Sequence, residues 1–545
     1  MNLIVDETPI DLLSVSRESG NNVGKTTVLR LVSYCFGADA KKIYQDPEFE
    51  AKQDPAVKPY LENNNVIIEI NLTRNLAFGE ESDIVIERNF LKRRDKIQRI
   101  NGQSFSDDDF ARELKVRLFD SAIDKPTVKQ IVAKSIREGN LRTENAIHVL
   151  DPFAQAVEYE ALFLFWLGIP TETMSDKQRL EQQAKTERAL LVKLRRDASE
   201  SQISQALRVL DRTIRELEKR RDAVNVNPDY QQDLEALNAV RQKVMQLSAR
   251  LGALELRQQL LADSIAEFRQ ERSTVDAELV GQLYREAHAL IPGLQRTFAE
   301  TLAFHNRMVV EREAYLTREL PGLEADLRHV QHEAEAAKQE EARLVDRVST
   351  SDSFEAIELV NADLREAYRQ RGQYEESQRV RTQTQATLES LVAELSIINE
   401  GIGANRGIVE QRIASFNEIF SRLSHDMYSE QFILSSDWSK DKLNLVISSV
   451  GDGPGTGKKL GQIALFDLSY IRFSDELGIP ALHFVMQDRM EQVHGNQLRT
   501  LSNIIKTSNC QYIVTMLRDK VPEEMLAAGT VVLRLSQEDK LFRLP

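Results

Sequence analysis

The sequence predicts an α/β nucleotide-binding head whose N- and C-terminal lobes are split by a long antiparallel α-helical coiled-coil arm. Three observations lead there. Near the N-terminus, Ser19-Gly20-Asn21-Asn22-Val23-Gly24-Lys25-Thr26-Thr27 has the pattern of a phosphate-binding loop. Near the C-terminus, the run from Ile479 to Val485 and Met486-Gln487-Asp488 reads as an apolar strand that ends in a carboxylate. Between them lies a stretch rich in Glu, Gln, Arg, Ala and Leu and poor in Pro and Gly. Its heptad-like spacing recurs in Leu207-Leu210-Ile214-Leu217 and Leu237-Val240-Val244-Leu247-Leu251.

The 545 residues exceed one ordinary domain, but an arm absorbs much of that length. With 29% charged, 41% hydrophobic and 6% aromatic residues, the composition fits a globular part averaged with long polar helices. The net charge of −14 opposes indiscriminate adsorption to nucleic acid, so any DNA contact needs a local basic patch. The densest such cluster is Lys92-Arg93-Arg94-Asp95-Lys96 with Arg99, just before the turn dipeptide Asn101-Gly102; it is either a solvated hairpin face or a DNA contact. No apolar run is long enough to span a bilayer, and no charged-then-apolar leader precedes residue 20, so a cytoplasmic protein is expected. Cys35 and Cys510 show no metal spacing and are expected to be buried, reduced thiols.

The expected domains are an N-terminal lobe over 1–170, the arm over 171–412 and a C-terminal lobe over 413–545. Val66–Leu72 reads as a strand, and Asp83–Phe90 with Gln98–Asn101 as a hairpin. The first lobe closes on the apolar run Ala161–Pro170. Within the arm, Asn225-Val226-Asn227-Pro228-Asp229 and Ser349-Thr350-Ser351-Asp352-Ser353 lie at similar distances from the two lobes, which predicts an elbow near 225–230 and 349–354. Ile291-Pro292-Gly293 marks the region of the distal turn, and Pro321 a further break. A straight arm would reach at most about 170 Å. The alternative is a helical domain folded back on itself.

A phosphate loop works because backbone N–H groups and a helix N-terminus face the anion, a lysine adds a mobile cation, and the next hydroxyl can ligate Mg²⁺. Gly20, Asn21, Asn22, Val23, Gly24, Lys25, Thr26 and Thr27 are the candidates here. Ser19 stands where the usual pattern has glycine. The strand candidate Leu3-Ile4-Val5 before the loop and the helix candidate Val28–Val32 after it supply the expected context, against the alternative of a chance Gly-Lys-Thr in an ordinary turn. Asp488 is the candidate metal carboxylate. Arg489 follows it where a hydrolytic site normally has glutamate; Glu491 is near but at the wrong spacing. Met516-Leu517-Arg518 stands where a switch histidine is expected. ATP binding is therefore better supported than rapid turnover. His483 reads as a packed core residue, and His305 has no metal-ligand companion.

These residues resemble the SMC-like branch of ABC ATPases and, more narrowly, YydD-like bacterial coiled-coil ATPases. The narrower likeness rests on Asn2–Val5 with Gly20–Thr26, on Phe304-His305-Asn306-Arg307 through Tyr315-Leu316, on Phe416–Phe420 running to Tyr428, and on Gly457-Lys458-Lys459 with Phe466-Asp467-Leu468. The resemblance implies an ABC-type ATPase head that clamps ATP and Mg²⁺ between the phosphate loop of one subunit and the signature loop of another. Thr456 and Gly457 then occupy the signature position, with Lys458 and Lys459 replacing the usual Gly-Glu. Gln155 would be the glutamine coupling metal and coil. That family tolerates an altered residue after the metal-binding aspartate. The first strand typical of that family has no counterpart before Asn2, which leaves a truncated start or a wrongly assigned initiator codon open. The implied partners are double-stranded DNA, a second copy engaged through the heads, and effector and accessory subunits of an anti-phage system of the ABC three-component or Lamassu type, with no membrane. Two alternatives stay open: a DNA double-strand-break repair ATPase, and a nucleotide-gated scaffold with negligible hydrolysis. An energising transporter subunit does not fit, since the arm has no place beneath a membrane domain.

Overall fold

The computed structural model describes residues 1–8, 23–44, 56–74, 83–91, 95–151, 154–223, 231–273, 317–348, 351–439, 442–450 and 459–542. Contacts divide the chain into two compact units. One joins Met1–Arg179 to Ser396–Pro545, and the other comprises the described parts of Leu180–Arg285 and Glu300–Leu395. The second unit is shorter than the expected arm of 171–412 because the flanking helices are rooted in the first. Met174 and Lys177 are buried there at one end, and Val409, Ile413 and Phe416 at the other.

Among the described residues the first unit has eleven strands: β1 (Asn2–Asp6), β2 (Ile67–Leu72), β3 (Ile84–Asn89), β4 (Gln98–Ile100), β5 (Gln103–Ser104), β6 (Ile136–Arg137), β7 (Phe432–Ser439), β8 (Lys442–Ser449), β9 (Phe484–Gln487), β10 (Gln511–Leu517) and β11 (Thr530–Leu535). Five of them form a parallel sheet in the order β11-β1-β10-β9-β6. The inner strands of a parallel sheet are covered on both faces and read as apolar runs, whereas the edge strand β11 alternates exposed and part-buried residues. Leu3, Ile4 and Val5 of β1 are buried accordingly. A second, antiparallel sheet runs β2-β3-β4-β5, with the Asn101-Gly102 turn between its last two strands, and β7-β8 form a hairpin. The expected strands near 66–72, 83–90 and 98–101 all form.

The run before Asp488 is a strand only from Phe484. Pro480 has no N–H to give a ladder, and His483 is turned aside. Its Nε2 lies 2.6 Å from Asp475 Oδ1 and its side chain is 37% exposed, so the expectation of a packed core histidine is corrected. Both cysteines are free; Cys35 is buried, but Cys510 only half so. Burial pushes the Cys35 thiol up to about 12.

Besides the pairing of β1 with β10 and β11, further ties fasten the N-terminal segment to the C-terminal one. β6 pairs with β9, so that Arg137 stands beside Gln487. The fully buried Arg137 guanidinium grips Asp467 on the helix Lys459–Leu477 through Nε–Oδ2 at 2.9 Å and Nη2–Oδ1 at 2.5 Å, and also donates to the Asn145 and Ala146 carbonyls. Glu160, on the helix Ala156–Trp166, takes Lys177 Nζ at 2.6 Å and the Leu443 N–H of β8 at 3.1 Å. Lys134 lies beside the Arg137 pair, 3.6 Å from the Tyr470 ring centre, and burial pushes its ammonium down to about 7. Gly461, in the first turn of the helix Lys459–Leu477, leaves room for the Tyr428 ring, whose Oη would lie 1.8 Å from an added Cβ, so a larger residue there would have to displace that side chain.

In the second unit, four helices lie side by side. Glu200–Asp222 and Ser351–Gly403 pack through Ile214, Leu217, Leu364 and Ala367. Gln231–Ser273 and Leu320–Val348 pack through Val244, Leu247, Val330 and Ala334. The second pair folds back along the first. Met245 joins the Ile214–Leu364 cluster, and Glu341 takes both Arg241 and Arg365. Burial pushes the Glu341 carboxyl up and the Arg241 guanidinium down. Gly252 and Gly372 mark the closest approach, where an added Cβ would stand 2.2 Å from the Arg369 carbonyl oxygen and 2.1 Å from that of Ala249. The helices flanking the expected elbow thus double back, and a straight reach of about 170 Å is not attained. The breaks at 224–230 and 349–350, Ile291-Pro292-Gly293, and the Phe304–Leu316 stretch lie outside the described residues. The expected break at Pro321 falls at the turn over 318–319, and Pro321 itself lies in the first turn of the helix Leu320–Val348, as fits its missing N–H.

Breaking the Arg137–Asp467 pair from one side leaves a buried charge unmatched. Asp467→Ala should therefore cost about 3–5 kcal/mol in urea unfolding, and the double variant Arg137→Met, Asp467→Leu should recover most of it. Gly372→Leu should destabilise the fold-back by about 1–3 kcal/mol. It should enlarge the radius of gyration in small-angle scattering while far-ultraviolet dichroism keeps the helix content.

Candidate functional site

Three parallel strands end together at one edge of the five-stranded sheet, and the side chains just past their C-terminal ends converge there. This is where open α/β sheets place ligands. β1 ends in Asp6, buried by the strands on either side of it. The chain returns at Gly24, left-handed at φ 103°, and enters the helix Lys25–Cys35. Two constraints demand glycine at 24: that backbone angle, and an added Cβ that would fall 2.6 Å from Leu541 Cβ. Leu541 also donates its N–H to the Val23 carbonyl at 3.1 Å, so the C-terminal segment lies across the loop's end. The helix has no acidic residue in its first turn, so its N-terminal N–H groups and dipole are uncompensated and suit an anion.

Lys25 Nζ reaches back to Asp6 Oδ2 at 3.0 Å, with the two side chains 12% and 0% exposed. Thr8 donates to the other Asp6 oxygen through its N–H at 2.9 Å and its hydroxyl at 2.6 Å. Thr26 Oγ1 donates to Asp488 Oδ2 at 2.7 Å across 462 residues of sequence. Thr515 of β10 donates its hydroxyl to the other Asp488 oxygen, and Gln487, one residue earlier, donates to the Leu460 carbonyl and accepts from Tyr512. Asp488 is thereby held from the phosphate loop on one side and from the sheet on the other.

A hydroxyl and a carboxylate oxygen at hydrogen-bonding distance are hard oxygen donors. They suit Mg²⁺, which takes few protein ligands and fills its octahedron with water and phosphate oxygens. No cluster of three or more His, Cys, Asp or Glu occurs among the described residues, which would be the mark of an all-protein metal cage.

Of the sequence candidates, the structure brings Lys25, Thr26 and Asp488 together, with Val23 and Gly24 at the loop end and Thr27 in the first helical turn. Gly20, Asn21, Asn22, Thr456 and Gly457 lie outside the described residues. Gln155 is the N-cap of the helix Ala156–Trp166, its N–H bonded to Glu158 Oε2 at 2.8 Å. In the basic cluster, 92–94 lie outside the described residues, while Lys96 is paired with Asp107 and Arg99 lies 3.9 Å from Glu87. Asp6, Thr515 and Leu541 escaped the sequence reading. For Asp6 the signal was present, a carboxylate closing the strand that leads into the loop. For Thr515 and Leu541 there was none without the strand order.

Residues 423–545 match a family model described as an uncharacterised protein conserved in bacteria (DUF2326). That match covers β9, β10 and β11 with Asp488 and Thr515. No curated protein matches the chain. Among solved structures, the Smc head domain with a coiled coil and joint from Pyrococcus yayanosii aligns at 15% identity and TM-score 0.36, over 95% of this chain and 89% of that one. The Smc head domain with an extended coiled coil bound to the C-terminal domain of ScpA, from Pyrococcus furiosus, aligns at 12% and 0.31, over 93% and 83%. Scores this low leave the site resting on its own geometry. No helix among the described residues is long and apolar enough to cross a membrane.

Lys25 is held by Asp6, which an incoming phosphate would have to displace. Asp6→Asn should tighten ATP binding by about 1 kcal/mol, roughly fivefold, in equilibrium titration at low salt, with a smaller gain at high salt.

Proposed function

We propose that this chain is an SMC-like ATP-binding protein in which the two ends of the sequence share one Mg²⁺–ATP site, and that two copies engage through their heads around that nucleotide. The observation that carries this reading is the hydrogen bond from Thr26 to Asp488. It joins a glycine-led helix N-terminus to a strand-end carboxylate, the two parts that phosphoryl-transfer sites use for phosphate and metal. In this reading the backbone from Gly20 to Gly24 cradles the phosphates, with Asn21, Asn22, Val23 and Thr27 completing the loop. Lys25 leaves Asp6 for the β- and γ-phosphates. Thr26 and Asp488 hold Mg²⁺, whose charge would neutralise the triphosphate, and Gln155 approaches the metal from the neighbouring loop. Thr456 and Gly457 of a second copy close the site.

Double-stranded DNA is the proposed cargo, sensed by the heads and arm in a cytoplasmic anti-phage complex with effector and accessory subunits; double-strand-break repair is the alternative role. A nucleotide-gated scaffold is favoured by a separate observation. Arg489 stands next to Asp488, and β10 ends in Leu517 and leads into Arg518, so neither position supplies a water-orienting acid or a switch histidine.

Lys25→Ala tests the reading. Loss of a charge-assisted phosphate contact should weaken ATP binding by about 1.5–3 kcal/mol, roughly ten- to a hundredfold, and abolish ATP-driven dimers in light scattering. Unchanged affinity and unchanged dimers in the variant would contradict it. DNA-stimulated turnover in the wild type would exclude the inert scaffold.

A further inference from the structure

After β11 the chain comes back to the phosphate loop. β11 keeps pace with β1 as far as Glu7, whose N–H donates to the Leu535 carbonyl at 2.7 Å. A tight turn follows, in which the Ser536 N–H donates to the Asp539 carbonyl at 3.1 Å and the Asp539 N–H to Ser536 Oγ at 3.0 Å. The turn delivers Leu541 to the end of the loop. Its N–H donates to the Val23 carbonyl at 3.1 Å, and its Cβ stands 2.6 Å from where an added Cβ would lie at Gly24. The Leu541 side chain packs against both apolar clusters of the first unit, the sheet core and a smaller group that includes Leu31, Tyr34 and Leu61. Phe542 extends the contact, its ring centre 6.0 Å from that of Tyr60.

A planar trans peptide holds its C=O and N–H on opposite sides of the chain. Pinning the Val23 carbonyl to Leu541 therefore turns the Gly24 N–H away from Leu541. It also fixes the plane of the peptide that leads from the loop into the helix Lys25–Cys35. Gly24 needs such a restraint. Without a Cβ, φ 103° is only one of several wells open to it, and Leu541 fills the space where a side chain would have narrowed the choice. A loop that binds an anion through backbone N–H groups gains affinity when those groups are aimed before the ligand arrives, because ordering them on binding subtracts from the affinity.

We propose that Leu541 is a positioning residue for the phosphate loop: docked on Val23 and Gly24, it sets the direction of the backbone N–H donors for the triphosphate, and bound ATP in turn tightens its docking. This rests on the ATP reading above. Leu541 acts through the Val23 carbonyl and the Gly24 backbone, not by contact with the nucleotide. The segment that supplies β9, β10 and Asp488 thereby also organises the loop that begins at the other end of the sequence. Coupling of this kind is reciprocal. If docked Leu541 raises ATP affinity about tenfold, bound ATP must raise the docking equilibrium of Leu541 by the same factor.

The test uses full-length wild type, Leu541→Gly, Leu541→Ile and Leu61→Ala, the last removing a fully buried leucine from the smaller cluster that Leu541 packs against. It measures ATP affinity with Mg²⁺, the melting temperature without nucleotide, and amide hydrogen exchange over 536–542 with and without ATP. Leu541→Gly should weaken ATP binding about tenfold, and Leu541→Ile should stay within about threefold of wild type. Leu61→Ala should lower the melting temperature at least as far as Leu541→Gly does, yet bind ATP within about threefold of wild type. In the wild type, which needs no substitution to fold, saturating ATP should slow exchange over 536–542 about tenfold. Undiminished affinity in Leu541→Gly overturns the proposal, as does an equal loss of affinity in Leu61→Ala or exchange over 536–542 that ATP leaves unchanged. Each of those results leaves the ATP site standing. Absence of ATP binding by the wild type removes both.

Discussion

β1 is hydrogen-bonded on both sides by strands from the far end of the chain, β10 and β11, and this pairing is the constraint on which the first unit depends. Neither end owns a complete sheet. The N-terminal segment contributes β1 and β6, and the C-terminal segment contributes β9, β10 and β11, interleaved so that removing either leaves unpaired ladders. Closing a flexible loop of that length would cost about 5 kcal/mol in chain entropy. The buried Arg137–Asp467 pair joins the two segments, since each of its charges is tolerable in the core only beside the other, while Glu160–Lys177 is a buried pair within the N-terminal segment.

The site is a consequence of that interleaving. A phosphate loop needs the strand before it, and that strand has its place only between β10 and β11. Asp488 needs Thr515 from the adjacent strand to orient one oxygen while the other meets Thr26. The distance between loop and carboxylate is therefore set by sheet spacing, not by the intervening sequence. Asp6 occupies Lys25 from the same strand end, so charge is balanced before any phosphate arrives.

Much of this was legible in the residues. Leu3-Ile4-Val5, the Gly-Lys-Thr-Thr step, the carboxylate at Asp488 and the hairpin around Asn101-Gly102 each carry a local physical signature that survives into the structure. What failed was whatever depends on backbone angles or on side-by-side helices. His483 looked like core, because Asp475 is only eight residues away but on a different element. The fold-back of the second unit stood only as the alternative of a helical domain folded back on itself, because heptads say which residues of a helix are apolar, not how many helices they meet. Gly252 and Gly372, costly inside helices, were the available signal.

The most direct measurement is ATP affinity with and without Mg²⁺, for wild type and Asp488→Asn. If Thr26 and Asp488 form one metal-holding pair across the two ends of the chain, Mg²⁺ should tighten wild-type binding about tenfold or more and leave Asp488→Asn nearly unchanged. Equal affinity in the wild type with and without the metal, or an undiminished Mg²⁺ effect in Asp488→Asn, would contradict the account.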